Sequence, residues 1–237
     1  MKLSAPIFRL KRQAKLLSRQ TNEPLHAMLN DVARQEGFRS WSHLAGSVSS
    51  ELPAAKLLAC LTAGDFVLLG ARPGHGKTLL GLQLMVEAHR AGRPSFYFSL
   101  EETKSMISDR LEAIGFEMSH GGNAPTIDTS DGICADYIIG QIRAKADQSL
   151  VVVDYLQLLD QKRQNPELSD QVEALADFAR ATGATIVAIS QIDRSFDPRS
   201  KAHPDLDDVR LPNPIDVKLF TKTCFLHDGE IRIDAVN

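Results

Sequence analysis

The stretch Asp65 to Gly70, DFVLLG, runs directly into Ala71-Arg72-Pro73-Gly74-His75-Gly76-Lys77-Thr78, and an apolar helical pattern begins at once afterwards. The first segment is a short, nearly continuous apolar run, which is typical of a parallel strand covered on both faces. The glycines of the second segment let the backbone curl so that successive amide groups face one anion. A strand, a glycine-rich turn and a helix in this order predict a phosphate site at the helix N-terminus.

The glycine-rich segment matches the P-loop pattern, except that Ala71 stands in the place of the first glycine. Lys77 supplies a mobile positive charge for terminal phosphates, and the hydroxyl of Thr78 is the expected ligand of Mg²⁺. The side chain of His75 is expected to be that of an exposed loop residue. The predicted nucleotide contacts are Arg72, Pro73, Gly74, His75, Gly76, Lys77, Thr78 and Leu79.

Other apolar runs alternate with helical patterns along the rest of the chain. The runs are SFYFSL (95–100), SLVVVD (149–154), ATIVAIS (184–190) and, more weakly, TID (126–128); the helical patterns lie near 77–91, 103–114, 132–147 and 169–182. This alternation predicts an α/β domain with a mostly parallel sheet and right-handed crossovers. Residues 218–233 read as a hairpin that turns at His227-Asp228-Gly229-Glu230.

Polar side chains stand at the ends of three predicted strands. Asp154 closes the VVVD strand, where a nearby cation would offset the cost of burying its charge. Glu101 follows the SFYFSL strand and is placed to orient or deprotonate an attacking water, with Glu102 as its competitor. Gln191 ends a further strand, where a neutral hydrogen-bonding group can sense a terminal phosphate. A capping or surface role remains open for Asp154 and Gln191.

The charge of the chain is unevenly distributed. The net charge is −3, but residues 1–45 carry +5 and the remainder −8. Residues 1–46 read as two short amphipathic helices followed by an aromatic cluster, and 51–237 as the α/β domain, with a flexible joint, GSVSS, at 46–50. The basic segment would attract phosphate backbones or an acidic protein surface, or dock on its own acidic neighbour.

Composition excludes several classes of protein. A chain of 237 residues with 43% hydrophobic and 24% charged residues is globular. No apolar run reaches the length of a membrane span, and no signal peptide is recognisable. Three separated cysteines form neither a disulfide framework nor a metal pair, so a cytoplasmic location without membrane partners is expected.

Four segments in order, ARPGHGKT, FSLEE, VVVDYLQLL and VAISQIDRS, resemble the ATPase core of RecA-superfamily proteins, specifically of DnaB-type replicative helicases. The resemblance covers roughly residues 60–230 and implies a RecA-like fold, ATP and Mg²⁺ as ligands, and a tendency to self-associate or to bind a protein partner. It implies Glu101 as the catalytic glutamate, acting with Lys77, and Asp154 as the Mg²⁺-linked acid. It implies that Gln191 couples phosphate state to loops facing single-stranded DNA, at residues 160–168 and 193–207. The candidate cations of these loops are Arg163, Arg194, Arg199 and Lys201.

The sequence also departs from that family. The family's late Arg-Asp-Glu turn reads His227-Asp228-Gly229, and the printed sequence ends before the basic stretch that supplies an arginine finger. Arg210, Arg232 or a partner's arginine would have to substitute. Three hypotheses follow: a DNA-acting ATPase, a nucleotide-gated regulatory or assembly protein with little hydrolysis, and a DNA-reading role for residues 1–45.

Overall fold

A computed structural model of the chain describes residues 4, 7–21, 23–41, 43–44, 53–118, 124–162, 164–193, 195–197, 201, 203–210, 215–227 and 229–236. Its contacts divide the chain into two compact units, Met1–Lys56 and Leu57–Asn237. The predicted joint at 46–50 lies outside the described residues, and the domain boundaries of 1–46 and 51–237 stay a prediction.

The larger unit is built on a seven-stranded sheet. In chain order its strands are β1 (Phe66–Ala71), β2 (Ser95–Ser99), β3 (Thr126–Asp128), β4 (Leu150–Asp154), β5 (Thr185–Gln191), β6 (Lys222–His227) and β7 (Glu230–Ala235). Their spatial order is β3-β2-β4-β5-β1-β6-β7. All neighbours are parallel except β6 and β7, which form the predicted antiparallel hairpin. The expected mostly parallel α/β fold is therefore confirmed.

One helix, α3 (Pro53–Cys60), precedes β1, and four helices lie between successive strands from β1 to β5. They are α4 (Lys77–Arg90), α5 (Lys104–Ala113), α6 (Ala135–Ile142) and α7 (Leu168–Thr182). These four match the helical patterns in the sequence, whereas α3 was not expected. The pattern near 132–147 becomes α6 followed by a short 3₁₀ turn, Arg143–Lys145. Burial explains the continuous apolar strands, because every residue of β1, β2 and β4 is buried.

The smaller unit contains α1 (Ile7–Thr21) and α2 (Leu25–Gln35). Their facing sides bury a separate cluster of Leu10, Ala14, Val32, Ala33 and Leu44, with Phe38 and Trp41 packed against it. The two helices therefore pack through apolar faces, as expected of amphipathic helices, but Leu25 at the start of α2 is exposed. Within the described residues, no helix has the length and apolar character needed to cross a membrane.

Candidate functional site

The predicted phosphate loop connects β1 to α4 at the carboxyl edge of the sheet. Gly74 and Gly76 have φ angles of 80° and 88°, a left-handed backbone that favours glycine over residues with a side chain. Gly76 is the residue that precedes α4, so the free amide groups of the first helical turn open into the loop. A Cβ atom added at Gly74 would meet no other atom within 4 Å. The loop therefore has the curvature and the open space that a phosphate group requires.

Lys77 brings its ammonium group to two carboxylates from different strands. Its Nζ lies 3.4 Å from Oε2 of Glu101, which follows β2, and 3.8 Å from Oδ1 of Asp154, which ends β4. Lys77 and Thr78 are buried at the first turn of α4. The sequence separates these residues by up to 77 positions along the chain, and the parallel order of β1, β2 and β4 collects them at one edge.

Asp154 is fully buried and accepts one hydrogen bond from a neighbouring strand. The hydroxyl of Tyr97, itself fully buried in β2, donates to Oδ2 of Asp154 over 2.8 Å. The other oxygen, Oδ1, has no hydrogen-bond partner among the described residues. Burial raises the pKa of Asp154, and the charge of Lys77 and the Tyr97 hydrogen bond oppose that rise. Oδ2 of Asp154 is thus held by Tyr97, whereas Oδ1, the oxygen nearest to Lys77, accepts no hydrogen bond from a described residue.

The two candidate glutamates have different environments. The side chain of Glu101 is 47% exposed and touches Lys77. Glu102 is 8% exposed and accepts hydrogen bonds from Arg110 of α5, the Nε atom at 2.7 Å from Oε2. The hydrogen bond to Glu102 raises the pKa of Arg110, as expected for a tight ion pair. Glu102 is thus engaged in a buried ion pair, whereas Glu101 is half exposed beside Lys77; the catalytic role of Glu101 stays a prediction.

A polar cavity of about 260 Å³ opens beside Glu101. Its walls come from the loops that follow β2, β3 and β4, including Thr129 and Asp131 from the loop after β3 and Gln161 and Lys162 from the loop after β4. Residues 160–168 were predicted to contain a DNA-facing loop. The structure therefore places part of that loop on the same cavity as the candidate catalytic glutamate.

Gln191 ends β5, in register with Ala71 at the start of the phosphate loop. Its backbone oxygen accepts a hydrogen bond from the amide of Arg210 at 2.8 Å. The side chain of Gln157 donates to Ser190 in the same strand and to the Arg210 carbonyl oxygen. The end of β5 is thus hydrogen-bonded to the segment after β4 and to the segment before β6. The role of Gln191 itself stays a prediction.

Of the four cations predicted to face DNA, the structure describes Lys201. Arg163, Arg194 and Arg199 lie outside the described residues. Lys201 is described, and its Nζ lies 2.5 Å from Asp205 and 2.8 Å from Asp208. Two carboxylates therefore already match the charge of Lys201. The candidate arginine Arg232 likewise pairs with Asp234, whereas Arg210 is exposed.

The residues present fit a nucleotide with Mg²⁺. The unsatisfied Oδ1 of buried Asp154 and the adjacent hydroxyl residue Thr78 are oxygen donors of the kind that Mg²⁺ prefers. Within the described part of the chain there is no cluster of three or more His, Cys, Asp or Glu residues suited to hold a metal ion.

Two aromatic residues of this site were not identified from the sequence. Tyr97 positions Asp154, and the ring of Tyr155 lies with its centroid 5.0 Å from Nζ of Lys77. A signal for Tyr97 does exist, because a buried tyrosine hydroxyl normally requires a hydrogen-bond partner. Nothing local indicates which partner, since Asp154 lies 57 residues away in sequence.

His75 was expected to be an exposed loop residue, but it is half-buried. Its ring stacks on that of His227 at the end of β6, with centroids 5.8 Å apart. Phe196 and His203 make edge contacts with the same His227 ring. The phosphate loop therefore packs, through His75, against a cluster of rings from the carboxyl end of β6 and the segment after β5.

Sequence comparisons find similarity to replicative helicases. The sequence pattern of the DnaB-like helicase C-terminal domain matches residues 122–217. The chain is 28% identical over 181 residues to the replicative DNA helicase DnaB of Synechocystis sp., covering 63% of this chain and 21% of that protein. The chain spans between about a fifth and two fifths of the length of the curated relatives it matches.

Solved structures give the same fold. A DnaB-like replicative helicase, solved in a study of its interactions with primase, gives a TM-score of 0.59 at 20% identity over 91% of this chain and 65% of that one. A KaiC-like protein of the archaeon Pyrococcus horikoshii gives a TM-score of 0.53 at 16% identity, over 72% of this chain and 76% of that one. The chain therefore has the same α/β fold as these structures, a RecA-like core.

Proposed function

We propose that the chain is an Mg²⁺-dependent ATPase that acts on or with DNA as a helicase-like motor core. The observation that carries the proposal is the convergence of Lys77, Glu101 and Asp154 at the open phosphate loop. Matches to replicative helicases over 63% to 70% of the chain support it. By the same resemblance we propose a cytoplasmic protein that self-associates or binds a protein partner.

The proposed roles follow from the chemistry of each group. The amides of the loop and the first turn of α4 bind the phosphates, and Lys77 neutralises their charge. Thr78 and Asp154 would hold Mg²⁺, which, when bound, offsets the charge that develops on the phosphates. Glu101 orients a water molecule and accepts its proton as that water attacks the terminal phosphorus of ATP; the bond from this phosphorus to the bridging oxygen breaks, and ADP leaves. Gln191 relays the loss of that phosphate to the loops after β4 and β5.

The test is a pair of substitutions with a matched control. Lys77→Ala should weaken ATP binding by about tenfold or more, because it removes the charge opposite the phosphates. Glu101→Gln should retain ATP binding and reduce turnover by about 10²-fold or more. Nucleotide binding is measured by fluorescence titration and turnover by phosphate release. Unchanged nucleotide affinity of Lys77→Ala would exclude this site.

Glu102→Gln is the control for Glu101→Gln, since it removes the same charge from the neighbouring position. We expect it to lower stability by breaking the pair with Arg110, and to leave turnover of the folded protein much higher than in Glu101→Gln. Loss of turnover in Glu102→Gln with retention in Glu101→Gln would reverse the two assignments.

A nucleotide-gated regulatory or assembly protein is the second candidate. The neutralisation of Lys201 by Asp205 and Asp208 favours it, because this described loop cation is not available to a phosphate backbone without losing its ion pairs. ATP turnover measured with and without single-stranded DNA separates the two. Strong stimulation supports the motor, and slow turnover that DNA does not change supports the switch.

A further inference from the structure

The exposed side of α1 carries a row of positive charges with no acidic residue among them. Lys11, Arg12, Lys15 and Arg19 are all exposed, and the helix, IFRLKRQAKLLSRQT, contains no Asp or Glu. At about 100° per residue these four side chains lie within an arc of about 100°. The row extends about 12 Å along the helix axis, from a rise of about 1.5 Å per residue. We call these four residues the basic row.

No described residue forms an ion pair with any member of the basic row. Two acids of this unit are otherwise engaged, since Asp31 lies 2.6 Å from Arg34 and Glu36 accepts a hydrogen bond from the Ser4 amide at 2.8 Å. The third described acid, Glu23, follows α1 and is exposed. Four like charges on one helix repel one another and destabilise it slightly. An external anion with several charges would relieve that repulsion.

The apolar side of α1 is already occupied. Leu10 and Ala14 point away from the basic row and are buried in the cluster shared with α2. A helix that binds a membrane surface must insert its apolar face among lipids, and this face is covered by protein. Beside the basic row Leu16 is exposed, but one aliphatic side chain is a small anchor for a protein partner.

We infer that the basic row of α1 is a binding site for the phosphate backbone of nucleic acid, used without reading base sequence. A row of flexible cations on one helix face matches the regular charges of a nucleic-acid strand, and such contacts carry no sequence information. This site is distinct from the phosphate loop and from the loops after β4 and β5. Its test is made without ATP, so that it fails or succeeds independently of the proposed ATPase.

The experiment uses the whole chain and two probes, a fluorescent single strand of about 20 nucleotides and a duplex of about 20 base pairs, each in two unrelated sequences. Binding is measured by anisotropy between about 50 and 200 mM salt. For the duplex, a plot of the logarithm of the binding constant against the logarithm of the salt concentration should have a slope of about −3.6 if all four cations contact phosphates. For the single strand the slope should be less steep. Both sequences should bind equally.

The variant K11Q/K15Q/R19Q removes three charges of the basic row while keeping good helix formers. We expect a loss of about tenfold or more in affinity and a duplex slope that is shallower by about 2.7. The matched control is R34Q/R90Q/R180Q, which removes three charges that are each already paired with an acid on the same helix. The control should bind like the parent chain.

Three results would overturn the inference. One is that the parent chain binds neither probe. Another is that the two triple variants lose affinity equally, which would make net charge the cause. The third is that K11Q/K15Q/R19Q has a lower thermal midpoint than the parent chain but binds both probes equally well. That result would mean that the basic row contacts an acidic surface of the protein itself.

Discussion

Asp65 shows how one buried carboxylate joins distant parts of the larger unit. It lies directly before β1 and accepts hydrogen bonds from the Thr62 amide at 2.6 Å, from the Thr221 hydroxyl at 2.8 Å and from Lys222 of β6. Burial raises the pKa of Asp65, but the hydrogen bonds of Lys222, Thr62 and Thr221 outweigh it and lower the pKa below the ordinary value of 3.8. The charged form therefore stabilises the fold.

The sign of this pKa shift predicts a pH dependence. Asp65→Asn should lower the free energy of unfolding at about pH 7 by about 1–3 kcal/mol, because it leaves Lys222 without its charged partner. The stabilisation by Asp65 is complete above pH 3.8 and disappears as pH falls through the lowered pKa, so the difference from the parent should narrow only below about pH 4. Urea unfolding at neutral pH and at two more acidic values measures it.

Asp177→Asn is the control for that substitution. Asp177 pairs with Arg180 on the exposed side of α7, where the two side chains are 63% and 68% exposed. Such a pair contributes less than about 1 kcal/mol. A similar loss in both variants would mean that the buried network around Asp65 has no special role.

At the scale of elements, α4 is held close to the sheet by Gly81. A Cβ atom there would lie 2.8 Å from Cδ1 of Ile189 and 3.1 Å from Cγ1 of Val152, closer than such atoms normally approach. The close approach places the first turn of α4, with Lys77 and Thr78, directly over the end of β4. By contrast, Gly140 in α6 has no atom within 4 Å of the position of an added Cβ.

The two glycines therefore predict opposite effects of one substitution. Gly81→Ala should destabilise the protein by about 1–3 kcal/mol, because it forces α4 away from β4 and β5. Gly140→Ala should stabilise it by about 0.5–1 kcal/mol, because alanine is the better helix former and fits without strain. Thermal and urea unfolding of the two variants measure both changes. Stabilisation by Gly81→Ala would show that the helix does not need this close contact.

At the scale of the whole molecule, the two units have separate apolar cores. The cluster around Leu10 and Val32 contains only residues of the smaller unit, and the main cluster contains only residues from Phe66 onward. Every residue of the proposed phosphate site lies in the larger unit. The basic row lies in the smaller one.

This separation predicts that a chain of residues 53–237, which keeps α3 whole, folds and binds ATP with an affinity within about threefold of the full chain. Each unit buries its own apolar side chains, and a domain with its own core can in principle fold alone. Circular dichroism and the same fluorescence titration measure folding and affinity. An aggregated product or a large loss of ATP affinity would show that the residues before α3 complete the larger unit.

The sequence by itself determined the strands, most of the helices and the phosphate loop, because apolar periodicity and glycine-rich turns act over a few neighbouring residues. It also placed Asp154 and Glu101 at strand ends, since that follows from position along the chain. It did not reveal Tyr97, the ion pair of Glu102 with Arg110 or the ion pairs of Lys201.

Only the tertiary structure decided those points. Glu102 is engaged because α5 turns Arg110 back onto it, and Tyr97 reaches Asp154 because β2 and β4 are neighbours in the sheet. Such contacts join residues that are distant along the chain, and they depend on strand order and on how closely helices approach the sheet. Neither property is written in a local pattern, because each results from the packing of the whole core.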